Sequence, residues 1–419
     1  MTTASSNTIA AGDDISESPA AGTGVLSGTA VSLVISTGAT ASVLYSFPAA
    51  PLDFNSWYAG ALIQGSDKNL YGLTQIGGTN NSGTLFKLSL GGSESTVYSF
   101  FAPVTSGQTL PEGLIQGGDG NFYETTSGGA MQSTGGGGAG TLGKITPAGK
   151  ETTLYNFCGC LDSRGYYEGA DPTGLIEGGD GNFYGTTAAS GSDSSGTLFM
   201  IPPSGIGSVL HTFGSVAGDG QTPVGSLISA NSLGQNQGTF LYGVTDRGGA
   251  NNTGTVFVFE PSIGHETLLY SFGPSSGTDG QVPVAGLVQA TNGNFYGMTY
   301  YGGTNNTGTV YEIAAGIEKV LYSFGPPVTT HNPTPVGSLI QATDGNLYGI
   351  TQYGGLYDGG MVFKIAPSGG AVTVVHSYTG GTTDAAYPQS LIQASDGNLY
   401  GTGLFGGTNN TGAVFKIPL

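Results

Sequence analysis

A six-residue core, Asp-Gly-Asn-(Leu/Phe)-Tyr-Gly, returns along the chain and constrains the fold more than any other feature. It stands as Asp67-Lys68-Asn69-Leu70-Tyr71-Gly72, then as Asp119 to Glu124, Asp180 to Gly185, Asn292 to Gly297, Asp344 to Gly349 and Asp396 to Gly401. A seventh, degenerate copy carries an insertion and ends in Leu241-Tyr242-Gly243. From Tyr71 to Tyr400 the spacing between successive core tyrosines runs from 52 to 61 residues. Helical solenoid repeats are mostly shorter and lack these turn signals.

Each unit reads as four strands. The first is a short apolar run, such as Gly337 to Gln341, and an Asp-Gly turn with positive φ expected at both central positions follows it. Asn346 to Thr351 forms the second strand. A Gly-Gly-Thr-Asn-Asn-Thr-Gly type of loop leads to a third, as in Gly308 to Ile313, and a brief turn delivers the fourth, Val320 to Phe324. These runs are rich in Val, Tyr, Phe and Thr, and none shows a helical period. One such sheet cannot bury both faces, whereas seven packed around an axis bury them all and leave only short edges. The expected fold is therefore all-β, a seven-bladed β-propeller of four-stranded blades, with the Tyr and Phe of strands two to four forming the core between blades.

Closure is written into the termini. The last unit, from Ser390 to Ile417, stops before its fourth strand, and Val43-Leu44-Tyr45-Ser46-Phe47 near the N-terminus matches Val320 to Phe324 almost letter for letter. This N-terminal strand is expected to lie beside Val414 and Phe415 and complete the last blade. Upstream, Gly28 to Leu33, with Val31 and Leu33, resembles a third strand that the ring already owns at Gly412 to Ile417. Residues 1–38 are thus expected to form an extension with a surplus strand, able to pair with the open edge of another subunit, and residues 39–419 the propeller.

Composition narrows the functional classes. Among 419 residues there are 78 Gly, 22 Tyr and 19 Phe, a combination that fits many tight turns around an aromatic core and follows no collagen period. The formal net charge of −18 opposes binding to nucleic acid or anionic lipid. No run approaches the ~20 apolar residues of a membrane span. The two cysteines, Cys158 and Cys160, give neither a zinc site nor a C-x-x-C redox motif, and are expected to be a local pair of loop cysteines at most. No cofactor or metal is expected.

The units resemble the bacterial tandem repeats called GloVer repeats, found in surface proteins with variable anchors. The resemblance spans roughly Gly28 to the C-terminus and rests on three pieces recurring in one order. These are the Asp-Gly-Asn-Phe-Tyr-Gly core, the Gly254-Thr255-Val256-Phe257 type of strand and the Leu269-Tyr270-Ser271-Phe272 ending. It implies a secreted or surface-displayed bacterial protein, and so a numbering that begins after a removed signal, since no signal peptide and no anchor segment is recognisable. It implies no reaction.

Propeller geometry places the loops from strand two to three, and from strand four to the next blade, on one face. These are the long loops here, so a ligand site is expected on that face or at the axial opening. Candidates on it are Trp57 and Tyr58, Arg164, Tyr166 and Tyr167, Asp246 and Arg247, Tyr300 and Tyr301, His331 and Tyr353, with Phe405 at an equivalent position. Exposed aromatics with sparse acids suit stacking on sugar rings. Tyr with Arg or His could also support elimination on a uronate, for which Arg164 or Arg247 must supply the charge. Catalytic templates are otherwise absent: there is no Gly-x-Ser-x-Gly elbow, no His-Glu-x-x-His and no phosphate loop with its Lys. His211 and His376 occupy the Tyr position of fourth strands and read as packing substitutes. The ranking from sequence is a structural or self-assembling surface protein, then a carbohydrate-binding propeller, then a polysaccharide lyase or hydrolase.

Overall fold

Seven antiparallel sheets of consecutive strands are arranged in a ring, in a computed structural model that describes residues 41–48, 59–101, 110–127, 139–158, 169–190, 195–230, 240–274, 278–326 and 330–419. Blade 1 runs from Ala59–Gln64 to Glu94–Ser99, blade 2 from Leu110–Gln116 to Glu151–Asn156, and blade 3 from Gly169–Glu177 to Ser208–Thr212. Blade 4 runs from Gly220–Ala230 to His265–Ser271. In blade 5 the first strand is split into Gly280–Pro283 and Val288–Gln289, and the last is Ile317–Ser323. Blade 6 runs from Pro335–Gln341 to Thr373–Ser377, and blade 7 contains Ala385–Gln393, Leu399–Gly406 and Ala413–Ile417. First strands of neighbouring blades meet one another around the axis, and those of blades 1 and 7 meet as well, so the ring is closed. The fourth strands form the outer rim.

Ser42–Ser46 is the fourth strand of blade 7, as its sequence predicts. Val43 pairs with Phe415 and Tyr45 with Val414. The closing contacts repeat those inside a continuous blade. Phe47 N–H donates to Gly412 O at 3.1 Å, and its carbonyl accepts from Asn409 Nδ2 at 3.0 Å and Thr411 Oγ1 at 2.8 Å. In blade 5 Phe324 makes the same bonds to Gly308, Asn305 and Thr307. Leu44 and Tyr45 lie against the core between blades 7 and 1, where the Phe47 ring meets Phe86 edge-on at 5.4 Å. Val31 and Leu33 lie outside the described residues. Cys158 is disulfide-bonded, and Cys160 also lies outside them.

The repeated hexapeptide explains itself in the turns. Asp67 accepts the Asn69 N–H through Oδ1, and through Oδ2 it accepts Asn69 Nδ2 and the Tyr71 hydroxyl at 2.8 Å. Asp119, Asp180, Asp344 and Asp396 do the same for their own Asn and Tyr. The expected pair of positive φ angles is not formed. Only the position after Asp is left-handed, as at Gly120 (79°) and Lys68 (67°), because the aspartate spends its carboxylate on an Asx-type cap. Burial works to raise the Asp396 pKa, but bonds from Asn398, Tyr400 and Lys416 outweigh it and hold it at about 2. Blade 5 swaps the charges: Asn292 replaces the Asp, and Glu312 replaces the lysine seen at Lys87, Lys144, Lys364 and Lys416. There Tyr296 donates to Glu312 at 3.0 Å instead.

Between blades, a buried ring of one fourth-strand end meets a buried ring on the next third strand. The pairs are Phe157–Phe199, Phe213–Phe257, Phe272–Tyr311, Phe324–Phe363 and Tyr378–Phe415, all with centroids 5.0–5.4 Å apart. The seam between blades 1 and 2 breaks the pattern. Gly143 stands where the ring would be, and Glu124 stands where other blades have glycine. The Glu124 side chain fills the vacated space, 2 % exposed, and its Oε2 finds no hydrogen-bond partner among the described residues.

Burial, reinforced by Glu151, pushes the Glu124 pKa from 4.5 up to about 8. An unfolded Glu ionises near its ordinary pKa, so between these values the folded state keeps a proton the unfolded state has lost. Stability from this group therefore falls as pH rises through that window, by on the order of 4 kcal/mol, and levels off above it. Glu124→Gln should remove this part of the pH dependence. Urea midpoints at about pH 5 and about pH 9 should converge in the variant relative to the natural protein. An unchanged pH slope would contradict the buried, protonated assignment.

Candidate ligand-binding face

At the long-loop end of the second strand, buried threonines fix the backbone on which variable residues are displayed. Thr74, Thr126, Thr187, Thr245 and Thr299 each share a hydroxyl hydrogen bond of 2.7–2.9 Å with the first threonine of the third strand. In four of these blades the same Oγ1 also reaches the carbonyl two residues on, at Ile76, Ala189, Arg247 and Tyr301. Thr351 reaches Tyr353 in the same way at 2.8 Å. The two residues after the threonine are thereby held in place while their identities change: Gln75-Ile76, Ala188-Ala189, Asp246-Arg247, Tyr300-Tyr301 and Gln352-Tyr353. The Asn-Asn turns beyond them are structural too. Asn306 takes a φ of 54° and accepts the Gly302 N–H, while Asn305 Nδ2 is spent on Phe324 O at 3.1 Å.

The inner strands supply the other wall. At their long-loop ends Asp171, Thr222, Val282 and Tyr387 each precede a proline and take φ between 53° and 57°. A β-branched residue there is a true outlier. Each of these residues donates its N–H to a loop carbonyl of the preceding blade, at Ala139, Ser195, Thr253 and Gly359 respectively, over 2.8–3.0 Å. The following proline then lies on the glycine that opens the preceding blade's third strand; Pro223 covers Gly196, Pro283 covers Gly254 and Pro388 covers Gly360. Strain of this kind is retained only where surrounding contacts over-determine it.

A cleft of about 320 Å³ opens between the inner strands of blades 4, 5 and 6. Val224, Val282, Val284 and Val336 line it with Pro283, Pro335, Gly337, Asp246 and Tyr300. Asp246 is its carboxyl group, half-buried, with Oδ1 out of solvent and without a hydrogen-bond partner among the described residues. Burial pushes its pKa up, against the opposing pull of Arg247 and of a hydrogen bond with Thr222. Tyr300 is 40 % exposed and meets Tyr301 edge-on at 4.6 Å. Farther round the same face, aromatic rings follow one another from blade 6 to blade 7. His331 stacks on Tyr353 at 5.0 Å, Tyr353 on Tyr387 at 5.1 Å, and Tyr387 approaches Phe405 at 5.7 Å. Asp358 holds the His331 ring by its Nδ1.

Of the candidates named from sequence, Asp246 and Tyr300 are brought into one cleft, Tyr301 lies edge-on to Tyr300 and is not among its lining residues, and His331 and Tyr353 form the arc. Arg247 is exposed, pairs with Gln221 and does not line the cleft. Trp57, Tyr58, Arg164, Tyr166 and Tyr167 lie outside the described residues. The apolar wall and Tyr387 were not foreseen. The signal for them was the recurrent X-Pro pair opening the inner strand, at Thr222-Pro223, Val282-Pro283, Thr334-Pro335 and Tyr387-Pro388.

Solved structures with this ring include a streptogramin B lyase, at a TM-score of 0.55 and 13% identity over 88% of this chain and 95% of that one. A virginiamycin B lyase from Staphylococcus aureus, solved with quinupristin, has a TM-score of 0.55 at 11% identity over 88% and 97% of the two chains. An oligogalacturonate lyase from Vibrio parahaemolyticus has a TM-score of 0.51 at 9% identity over 86% and 89%. At these identities the likeness is one of fold. Among curated proteins no sequence matches. No helix among the described residues is long and apolar enough to cross a membrane. The repeat itself matches a family over residues 18–240, 160–334 and 229–419, and on that coverage the chain belongs to the Gloeobacter/Verrucomicrobia repeat family.

Proposed function

We propose that this protein is a carbohydrate-binding propeller, displayed outside a bacterial cell, that holds a neutral sugar in the cleft between blades 4 and 6. One observation carries the reading: the half-buried Asp246 carboxyl, one of whose oxygens has no hydrogen-bond partner among the described residues, lines a cleft otherwise walled by Tyr300, prolines and valines. A sugar ring needs this pairing, an aromatic or apolar wall for its C–H face and an acceptor for its hydroxyls. Charge selects among sugars. With a net −18, and with Arg247 outside the cleft lining and its charge already acting on Asp246, an anionic uronate is less favoured than a neutral sugar among the described residues. The same fact weighs against uronate elimination on this face. The aromatic arc from His331 to Phe405 extends the surface for a longer oligosaccharide.

A neutral-glycan array probed with the full chain should show binding above background. Asp246→Ala and Tyr300→Ala should each weaken it by about tenfold or more, the loss expected for a buried hydrogen bond or a stacking ring. An array blank for neutral glycans, or binding indifferent to both substitutions, would sink the proposal.

A second reading concerns assembly. Ser42–Ser46 already fills the fourth place of blade 7, and every blade has its four strand positions occupied. If Gly28 to Leu33 forms the strand its sequence predicts, the ring has no place for it, and it would pair with the edge of a neighbouring subunit. Light scattering should then show multimers of the full chain and monomers after removal of residues 1–38. A monomeric full chain rejects it.

A further inference from the structure

Away from the cleft, one seam between blades brings together side chains from three separate parts of the chain. His211 lies on the fourth strand of blade 3, Asp219 on the loop that leads into blade 4, and Glu266 on the fourth strand of blade 4. One donor atom from each lies within 4.8 Å of the others. His211 Nε2 is 3.2 Å from Asp219 Oδ2. Asp219 is 7 % exposed, and its Oδ1 has no hydrogen-bond partner among the described residues. We propose that His211, Asp219 and Glu266 form a binding site for a divalent transition-metal ion that ties blade 3 to blade 4.

The donor chemistry decides the class of ion. One imidazole and two carboxylates supply a nitrogen and two anionic oxygens, which balance a 2+ charge and leave further positions to water. Imidazole with carboxylate suits zinc or manganese, whereas calcium and magnesium favour sites of oxygen alone. Burial raises the Glu266 pKa to about 7, with His211 pulling it down and Asp219 pushing it up. A bound cation adds the positive charge that two neighbouring carboxylates need.

Comparable seams in the same ring show what is particular here. At blades 6 and 7, His376 faces Asp384 at 3.1 Å, but Asp384 is fully used by Thr379 and Ala385, and no acidic third partner joins them among the described residues. At blades 4 and 5 the acids are present as Asp279 and Glu318, yet Tyr270 occupies the histidine position and donates to Asp279 at 2.7 Å. There burial and Asp279 raise the Glu318 pKa. Seam 3/4 alone, among the described residues, combines the imidazole with both acids.

The test uses the full chain, stripped with a chelator and desalted, and titrated with Zn²⁺ by calorimetry and by thermal unfolding. One equivalent should bind, with the Tm raised by several degrees, and Mg²⁺ or Ca²⁺ at equal concentration should not reproduce the shift. Glu266→Gln and His211→Tyr should each weaken that binding at least tenfold while keeping the far-ultraviolet spectrum. His331→Ala and His376→Tyr should leave it intact. No stoichiometric binding, or equal binding by Glu266→Gln and His211→Tyr, overturns the proposal, as does loss confined to His331→Ala. If a variant misfolds, hydrogen exchange of the natural chain decides: zinc should protect residues 208–219 and 265–271, and protection elsewhere only, or none, also overturns the assignment.

Discussion

Removing residues 1–48 should abolish cooperative folding of the ring, although the deleted segment contains only one described strand. The truncated chain loses Leu44, Tyr45 and Phe47 from the blade 7 to blade 1 seam and Val43 from the blade 6 to blade 7 seam, and it leaves the edge of Ala413–Ile417 unpaired. Fully burying a large apolar side chain is worth about 1.5–3 kcal/mol; Phe47 is buried and the other three partly so, and together with the lost strand pairing they reach a large part of the stability of an ordinary domain. Phe47→Ala alone should cost about 3–5 kcal/mol, since the ring is 3 % exposed and stacks on Phe86. Removal of residues 1–38 spares the closing strand and should leave the urea midpoint unchanged. Equal midpoints for the chains lacking 1–38 and 1–48 would show that closure does not depend on this strand.

Gly360→Ala is the second large effect, expected to cost more than about 3 kcal/mol in urea unfolding. The glycine has a φ of 88°, and an added Cβ would lie 2.4 Å from Thr351 O, 2.6 Å from Pro388 Cδ and 2.7 Å from Gln352 O. None of these can yield cheaply: two belong to the backbone and the third is the proline of the next blade. Gly397→Ala separates crowding from conformation. Its φ is 86°, nearly the same, but nothing lies within 4 Å of the added Cβ. That variant should lose only about 1–2 kcal/mol. Equal losses at both positions would refute the account of the proline-on-glycine latch between blades.

The ring was legible because its information is local and repeated. A turn aspartate, its Asn and its Tyr lie within a few residues of one another, and Val43 to Phe47 copies Val320 to Phe324. Boundaries shifted by a residue or a few, as where the fourth strand of blade 5 starts at Ile317 rather than Val320. The site was legible only as a face. Asp246 and Tyr300 stand at equivalent places in successive blades, and only the close approach of inner strands makes them neighbours in one cleft. Nothing polar marked Val224 or Val336 as its walls. His211 read as a packing residue, and its ring does lie edge-on to Phe213 at 4.9 Å. Its bond to Asp219 and the approach of Glu266 come from a loop and from the next blade, which no spacing along the chain reveals. Glu124 departs from the glycine of the repeat, but its meaning depends on Gly143 across the sheet.

Hydrogen exchange with and without a neutral oligosaccharide bound on the array tests the central claim most directly, because it reports where the ligand sits. Protection should concentrate on 222–226, 244–248, 282–286, 299–303 and 334–338, the segments around the cleft between blades 4 and 6. The Asp-Gly turns on the opposite face should exchange as before. Protection at those turns, or none around Asp246 and Tyr300, would contradict the assignment of this face as the binding site.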